Sequence, residues 1–334
     1  MSKISILGSG TWGTALAILL SRKGHQVTLW SALPKELEQI KEKHKHPSLP
    51  EAVVSEEILL EPDLEKAVRD KEVLILAVPS IFVRETAKKL RPFLPESKIL
   101  VNVAKGIEEK SLKTLSEVVQ EELPSIDVAV LSGPSHAEEV SRFLPTTCVI
   151  GAKTKKTANF LQEIFMSEVF RVYTSPDILG IELGAALKNV IALAAGAADG
   201  LGFGDNSKAA LITRGIAEIT RLGLAMGGKA QTFAGLSGIG DLIVTCASVH
   251  SRNHKAGMLI GQGLSVQEAM EKVKMVVEGV YSAKAALELA KKYQVETPII
   301  REVNAVLFSA KDPREAVLTL MTRDKITEHM DLDW

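Results

Sequence analysis

The chain has 334 residues, beyond the size at which one hydrophobic core keeps growing, so a division into two domains is expected. Lys and Arg number 40 against 41 Asp and Glu, a formal net charge of −1 that offers no field for nucleic acid or an anionic membrane and favours small-molecule chemistry. The two cysteines, Cys148 and Cys246, are far apart and fit neither CxxC nor a Cys/His ligand spacing, so they are read as small hydrophobes in a reducing compartment, with no metal expected. Met1-Ser2-Lys3 runs straight into an apolar strand without a signal-type segment, which predicts a cytoplasmic, soluble protein with no stable membrane insertion. The charged tract 41–46, KEKHKH, is read as a solvated loop.

The first half alternates short apolar runs with helical patterns, the mark of a parallel sheet covered on both faces. Residues 4–7 are the first strand. They deliver the chain to Gly8-Ser9-Gly10-Thr11-Trp12-Gly13, which opens a helix predicted through Lys23 and stopped by Gly24. In that context Gly8 makes the tight turn, Gly10 lets backbone approach a pyrophosphate, and Gly13 packs helix on strand, while free N–H groups at the helix start bind the anion. This predicts a dinucleotide site in a Rossmann-type, doubly wound, mainly parallel sheet. The second strand, 27–30, runs into Ser31-Ala32-Leu33, with Lys35 and Glu36 next. Neither an acid for a ribose 2′-hydroxyl nor an arginine for a 2′-phosphate stands at the usual place, so NAD and NADP both remain open.

Further strands are predicted at 73–78, 99–103 and 128–131, and ligands in such sheets gather at the strands' carboxyl ends. Lys105, beside Gly106 at one of those ends, either reaches an anionic or carbonyl oxygen in the crevice or is a loop lysine in water. The segment Gly133-Pro134-Ser135-His136-Ala137-Glu138 follows the next strand and is read chiefly as a helix N-terminal turn. Strands at 146–150 and 169–173 close a first domain, 1–177. Ser175-Pro176-Asp177 then supplies a cap, a proline for the first helical turn and an acid near the positive helix end. The second domain, 178–334, is predicted all-α, with helices at 178–199, 207–222, 265–273, 281–293 and 313–321.

The helix at 178–199 is apolar nearly all round and carries Lys188 in its middle. Its neighbours in helical register are Gly184, Ala185, Ile191 and Ala192, so no carboxylate on the same helix can pair with it. A buried ammonium must lose its proton or meet an anion from elsewhere; the alternative is a lysine snorkelling at the helix rim. Two polar constellations follow. In 235–245, GLSGIGDLIVT, Asp241 and Thr245 are four apart and share a helix face, though Asp241 also suits a plain helix-start acid. Ser251-Arg252-Asn253 reads as a phosphate seat made of helix N–H groups and a guanidinium, or as ordinary capping with a surface arginine. His250 and His254 are four apart but lack an HExxH arrangement.

Taken together, GSGTWGTALA at 8–17, AVPS at 77–80, AKGIE at 104–108, LSGPSHAEEV at 131–140, the long run at 182–215, GLSGIGDLIVTC at 235–246, SVHSRN at 248–253 and VVEGV at 276–280 resemble the bacterial NAD(P)-dependent glycerol-3-phosphate dehydrogenases over nearly the whole chain. The resemblance implies reversible hydride transfer between NAD or NADP and glycerol 3-phosphate or dihydroxyacetone phosphate, a product destined for glycerophospholipid synthesis, and a homodimer. It implies Lys188 as general acid and base, with Lys105, Asp241 and Thr245 around it. Ser251, Arg252 and Asn253 would seat the substrate phosphate, and Gly133 and Ser135 would line the substrate side. Ser9, Gly10, Thr11, Trp12, Lys105, Ala137, Arg252, Val276 and Glu278 would stand on or near the cofactor, beside Gly8 and Gly13 of the glycine turn. An arginine that many members carry after the second strand is missing here. A related β-hydroxyacid dehydrogenase, which would need a carboxylate seat, and a non-catalytic nucleotide sensor are the competing readings.

Overall fold

Short β-branched and aliphatic runs become the strands of one sheet in a computed structural model of the chain, which describes residues 1–94, 98–325 and 327–328. The strands are β1 (Lys3–Leu7), β2 (Gln26–Trp30), β3 (Leu59–Glu61), β4 (Val73–Leu76), β5 (Ile99–Asn102), β6 (Asp127–Ser132), β7 (Thr146–Ala152) and β8 (Phe170–Ser175). Their order across the sheet is β3-β2-β1-β4-β5-β6-β7-β8. The first six are parallel; β7 pairs antiparallel with β6 and parallel with β8, so the last two run against the rest. The order reverses direction at β1, and the crevice that opens there, at the strands' carboxyl ends, is where such sheets take ligands.

Both sheet faces are covered, which is why the strands read as continuous apolar runs rather than alternating ones. Helices α1 (Thr11–Arg22), α2 (Pro34–Lys43) and α7 (Lys155–Phe165) pack on one face around Ile4, Ile6, Leu16 and Leu20, with α6 (Ala137–Val140) against α1. On the other face α3 (Leu64–Val68), α4 (Val83–Leu90) and α5 (Leu115–Glu122) enclose Leu7, Leu74, Leu76 and Val118. Two expectations change here. Residues 41–43 are the last turn of α2 rather than loop, the chain leaving the helix through His44 at φ 50°. Strand β3 was not anticipated, because three residues are too few to show alternation.

From residue 178 the chain is helical: α8 (Ile178–Gly200), α9 (Asp205–Ala225), α10 (Ala230–Phe233), α11 (Asp241–Ala247), α12 (Arg252–Gly261), α13 (Val266–Val273), α14 (Glu278–Lys292), α15 (Pro298–Phe308) and α16 (Pro313–Met321). The cap of α8 is Asp177, whose Oδ1 accepts from the Gly180 N–H at 3.0 Å; Ser175 is still strand and Pro176 precedes the helix, which corrects the expected order. The other carboxylate oxygen accepts from Lys229 N and Thr232 Oγ1, tying α8 to α10. Helix α8 is long and apolar enough to cross a membrane, with mean hydropathy 1.7, yet 83% of that stretch is buried within the fold. The other helices pack around it. A Cβ at Gly257 would lie 2.0 Å from the Leu193 carbonyl oxygen, and one at Gly196 would lie 2.0 Å from that of His254, so α8 and α12 meet backbone to backbone.

Glu182 joins the helical part to the sheet. Its Oε1 accepts from the Asn102 amide at the end of β5 and from the Ser116 N–H of α5, both at 3.0 Å. Burial pushes its carboxyl up, the bonds from Thr114, Ser116 and Asn102 opposing. This anchor lies six residues before Lys188, and it fixes that lysine's height above the strand ends.

Candidate active site

The glycine turn is built as its sequence requires. Gly8 has φ 127°, and a Cβ there would meet the Ala77 carbonyl oxygen at 2.6 Å; a Cβ on Gly13 would meet the Gly8 oxygen at 1.9 Å. Around Gly10, by contrast, nothing lies within 4 Å of the Cβ position, so the space above that residue is open to a ligand. Gly10 caps α1 without a side-chain hydrogen bond, which leaves the first N–H groups of the helix to an anion. These features open into a cleft of about 570 Å³ between the strand ends and the helical part. Ser9, Gly10, Thr11, Trp12, Ala137, Val276 and Glu278 all line it, Gly8 lines its floor, and Gly13 stands behind as the packing residue. The buried Trp12 Nε1 has no hydrogen-bond partner among the described residues. The residues present therefore fit a dinucleotide.

Lys188 finds its anion across the helices. Its Nζ lies 3.1 Å from Asp241 Oδ1 and donates to Thr245 Oγ1 at 2.7 Å, and Lys105 Nζ lies 2.7 Å from Asp241 Oδ2. One carboxylate thus holds two ammonium groups. Thr245 passes its own proton to the Asp241 carbonyl oxygen at 2.6 Å, one turn back on α11, so its lone pair faces the lysine. Lys188 and Asp241 are 5% and 1% exposed, which makes burial the largest influence on both. Burial lowers Lys188 to about 8, Lys105 adding to the effect and Asp241 opposing it. For Asp241, burial alone would raise the carboxyl, but the two ammonium groups outweigh it and hold it below the usual range. The snorkelling alternative fails, since this lysine is inside.

Around this pair the other candidates take distinct places. Lys105 also donates to the Gly133 carbonyl oxygen at 3.0 Å, as does Ser135 Oγ at 2.9 Å; Ser135 lines the cleft, while Gly133 sits behind it holding Lys105. Ser251 caps α12 by accepting from His254 N at 3.2 Å, and Arg252, half-buried at the helix start, lines the cleft. The Asn253 side chain is turned to structural use, donating to Asn189 Oδ1 at 2.9 Å and accepting from Gly279 N at 2.8 Å. Glu278 binds Ser80, Oε1 accepting from its backbone N–H at 3.0 Å and Oε2 from its hydroxyl; burial raises its carboxyl, with those bonds opposing. His254 pairs with Asp199 at 2.7 Å while His250 faces the His136 ring, so the two histidines serve different partners.

Of the cleft-wall residues not singled out as site residues from the sequence, Asn189, His136 and Glu36 bear on the site. Asn189, next to Lys188, donates to the Lys105 carbonyl oxygen at 3.5 Å and so links the two lysines' backbones. His136, read as a helix-turn residue, does precede α6 as its cap residue, but its buried Nε2 has no partner among the described residues; burial and the charges of Lys188 and Lys105 lower it to about 4. Glu36 corrects the reading that no acid reaches the end of β2. Its Oε2 accepts from Ser9 Oγ at 2.5 Å and from Ser31 Oγ at 2.9 Å, and it lines the cleft. Lys35 is exposed. The signal was available: Pro34 at the start of α2 puts Glu36 in the first turn, which folds back over the strand end.

Comparison with known proteins identifies the family. The model of the NAD-dependent glycerol-3-phosphate dehydrogenase N-terminus matches residues 3–158, and that of the C-terminus matches 177–318. A glycerol-3-phosphate dehydrogenase (NAD(P)+) of Agathobacter rectalis is 61% identical over 335 aligned positions, covering 100% of both chains. One of Fusobacterium nucleatum is 57% identical, covering 98% of this chain and 99% of its own. The crystal structure of glycerol-3-phosphate dehydrogenase from Coxiella burnetii superposes with a TM-score of 0.93 at 36% identity, over 96% of this chain and 99% of that one. A ketopantoate reductase from Ralstonia eutropha, at 17% identity and a TM-score of 0.61, shares the fold alone. With both halves matched and the glycine turn, the lysines and Asp241 assembled in one cleft, the chain belongs to the NAD(P)-dependent glycerol-3-phosphate dehydrogenase family.

Proposed function

We propose that the chain interconverts dihydroxyacetone phosphate and sn-glycerol 3-phosphate with NAD(P)H or NAD(P)+, Lys188 being the general acid and base at the C2 oxygen. The observation that carries this is the buried Lys188 Nζ, held by Asp241 and Thr245 in the wall of the same cleft that Arg252 lines. The nicotinamide supplies or accepts the hydride when bound. A ketone gains hydride at carbon only as its oxygen gains a proton, so a group that titrates near neutrality must touch that oxygen. Lys188, at about 8, is matched to that task. As an ammonium it polarises the ketone and donates; as an amine it takes the alcohol's proton. Asp241 keeps the ammonium form accessible despite burial, Thr245 orients Nζ, and Lys105 supports the same oxygen from the strand side.

Arg252, with the N–H groups of the α12 start that Ser251 caps, is the proposed phosphate seat, and Asn253 positions that start against α8 and α14. Ser135 borders the substrate, with Gly133 fixing Lys105 behind it. Gly8 to Gly13, Ala137, Val276 and Glu278 make up the proposed cofactor wall. Binding energy from the phosphate, remote from the reacting carbon, orients the ketone under the nicotinamide. The division of labour falls at residue 177/178, the sheet holding the cofactor and the helices the substrate. A cytoplasmic homodimer supplying glycerophospholipid synthesis completes the proposal, and burial of α8 supports the absence of membrane insertion. A β-hydroxyacid dehydrogenase would want a carboxylate seat without this helix start and arginine, and a sensor has no use for two lysines on one carboxylate.

The test is a spectrophotometric assay of dihydroxyacetone phosphate reduction with each cofactor. Turnover that needs the phosphate and vanishes in Lys188→Ala, with cofactor binding intact, supports the reading; near wild-type turnover in that variant overturns the role of the lysine.

A further inference from the structure

We infer that Glu36 makes this chain selective for NADH over NADPH, its carboxylate accepting from the adenosine ribose hydroxyls and repelling a 2′-phosphate. The inference rests on the cofactor lying with its pyrophosphate at the glycine turn. In that pose the adenosine ribose stands at the end of β2, beside the chain that leads into α2. The strand order puts β2 next to β1, and Gly8 at the end of β1 donates its N–H to the Trp30 carbonyl oxygen at 2.9 Å, so the glycine turn and the end of β2 are locked together.

The carboxylate is built into place. Pro34 starts α2, and Glu36, in its first turn, returns toward the strand ends with its N–H on the Leu33 oxygen at 3.0 Å. Ser9 belongs to the glycine turn and Ser31 to the end of β2; both are buried, and both hydroxyls donate to the same oxygen, Oε2. Ser31 Oγ in turn accepts from Leu33 N at 3.1 Å, so its proton has one direction to point. The second oxygen, Oε1, accepts no hydrogen bond among the described residues and Glu36 is only partly buried, which leaves it to a ligand in the cleft. An ionised carboxylate is an acceptor only, the partner a pair of ribose hydroxyls requires.

The charge balance decides between the two cofactors. Both groups on Glu36 are neutral hydroxyls, and no cation forms an ion pair with it among the described residues. His46, whose charge Glu36 favours, is nonetheless held below its usual range by burial. The cations lining the cleft are Lys89, Lys105, Lys188 and Arg252. Lys105 and Lys188 are committed to Asp241, and Arg252 begins α12 on the substrate side. Lys89 lines the cleft from α4, as does Glu85 one turn before it, whose carboxylate pairs with Lys88 at 3.1 Å. A 2′-phosphate would therefore meet a carboxylate with no arginine to answer it, and like charges in contact are costly.

Calorimetric titration of the wild-type protein with NADH and with NADPH, without substrate, should give affinity about 100-fold in favour of NADH. In Glu36→Gln the ratio should shrink at least about tenfold, chiefly through tighter NADPH. NADH lacking the adenosine 2′-hydroxyl should bind the wild type about tenfold more weakly than NADH, a penalty that shrinks in Glu36→Gln as the charge-assisted part of the bond is lost. Equal wild-type affinities would overturn the inference and turn the site over to Ser31 and Lys35 as phosphate partners. An unchanged ratio in a Glu36→Gln protein that melts like the wild type would also overturn it. Failure of both cofactors to bind would strike the cofactor site itself, a separate result.

Discussion

Asp241 and Glu36 are two of the carboxylates that line the cleft, and they are held by opposite means. Asp241 is clamped by two ammonium groups in a dry wall; Glu36 is held by two hydroxyls with one oxygen open. Lys105 follows β5 and Glu36 follows β2, so β1 and β4 lie between them, roughly 14 Å at the usual strand spacing. A carboxylate saturated by cations has no capacity left for ligand and serves to set the charge of its neighbours. One held by neutral donors keeps its own charge and can read a ligand. The same functional group is thus internal machinery at one end and a recognition element at the other.

The largest effect belongs to the clamped end. Lys188→Ala should cost about 10² to 10⁴ in kcat for ketone reduction while leaving NADH affinity near wild type, a split that titration and steady-state kinetics would resolve. Next comes the clamp itself. Asp241→Asn leaves two lysines without a counter-charge, and denaturant unfolding should show a loss of about 3–5 kcal/mol. Because Asp241 opposes the lowering of Lys188, surviving activity should show its pH break below the wild-type value of about 8. Retained stability and an unmoved break would dissolve the contrast between the two carboxylates.

Arg252→Ala should raise the KM for dihydroxyacetone phosphate about 100-fold through loss of charge-assisted hydrogen bonds, with kcat less affected. In the wild type, kcat/KM for ketone reduction should fall as pH rises through about 8, since the donor is the ammonium, while alcohol oxidation should rise through the same value, since the acceptor is the amine. Two profiles of the same slope would mean that another group handles the proton. At the open end, Glu36→Gln should change unfolding stability by no more than about 0.5 kcal/mol, because no buried charge loses its partner.

The sheet and the lysine–aspartate cluster were legible because their signals are local. Three glycines after a strand have one economical use, and a lysine with only Gly184, Ala185, Ile191 and Ala192 in register had to find its carboxylate elsewhere. Asp241 and Thr245, four apart, announced a shared face and now hold that lysine. Glu36 was passed over because the chain was read outward from the strand, where it stands six positions beyond Trp30; only the turn of α2 brings it back to Ser9. Asn253, read from its place beside an arginine, does line the cleft, and its amide also bonds to Asn189 and Gly279, a pairing between three helices that spacing along the chain does not encode.

The meeting of α8 and α12 through Gly196 and Gly257 has a metric consequence. Arg252 starts one of these helices and Lys188 lies on the other, and the two helices meet main chain to main chain at Gly257 and Leu193. The interval between the main chain at the proposed phosphate anchor and at the proposed proton donor is therefore a fixed gauge. A ketose phosphate one carbon longer would seat its phosphate and bring the wrong atom beneath Nζ. Gly257→Ala, which forces a methyl onto the Leu193 carbonyl, should cost about 1–3 kcal/mol of stability and blunt that discrimination by length, measurable as the ratio of kcat/KM for the three- and four-carbon ketones.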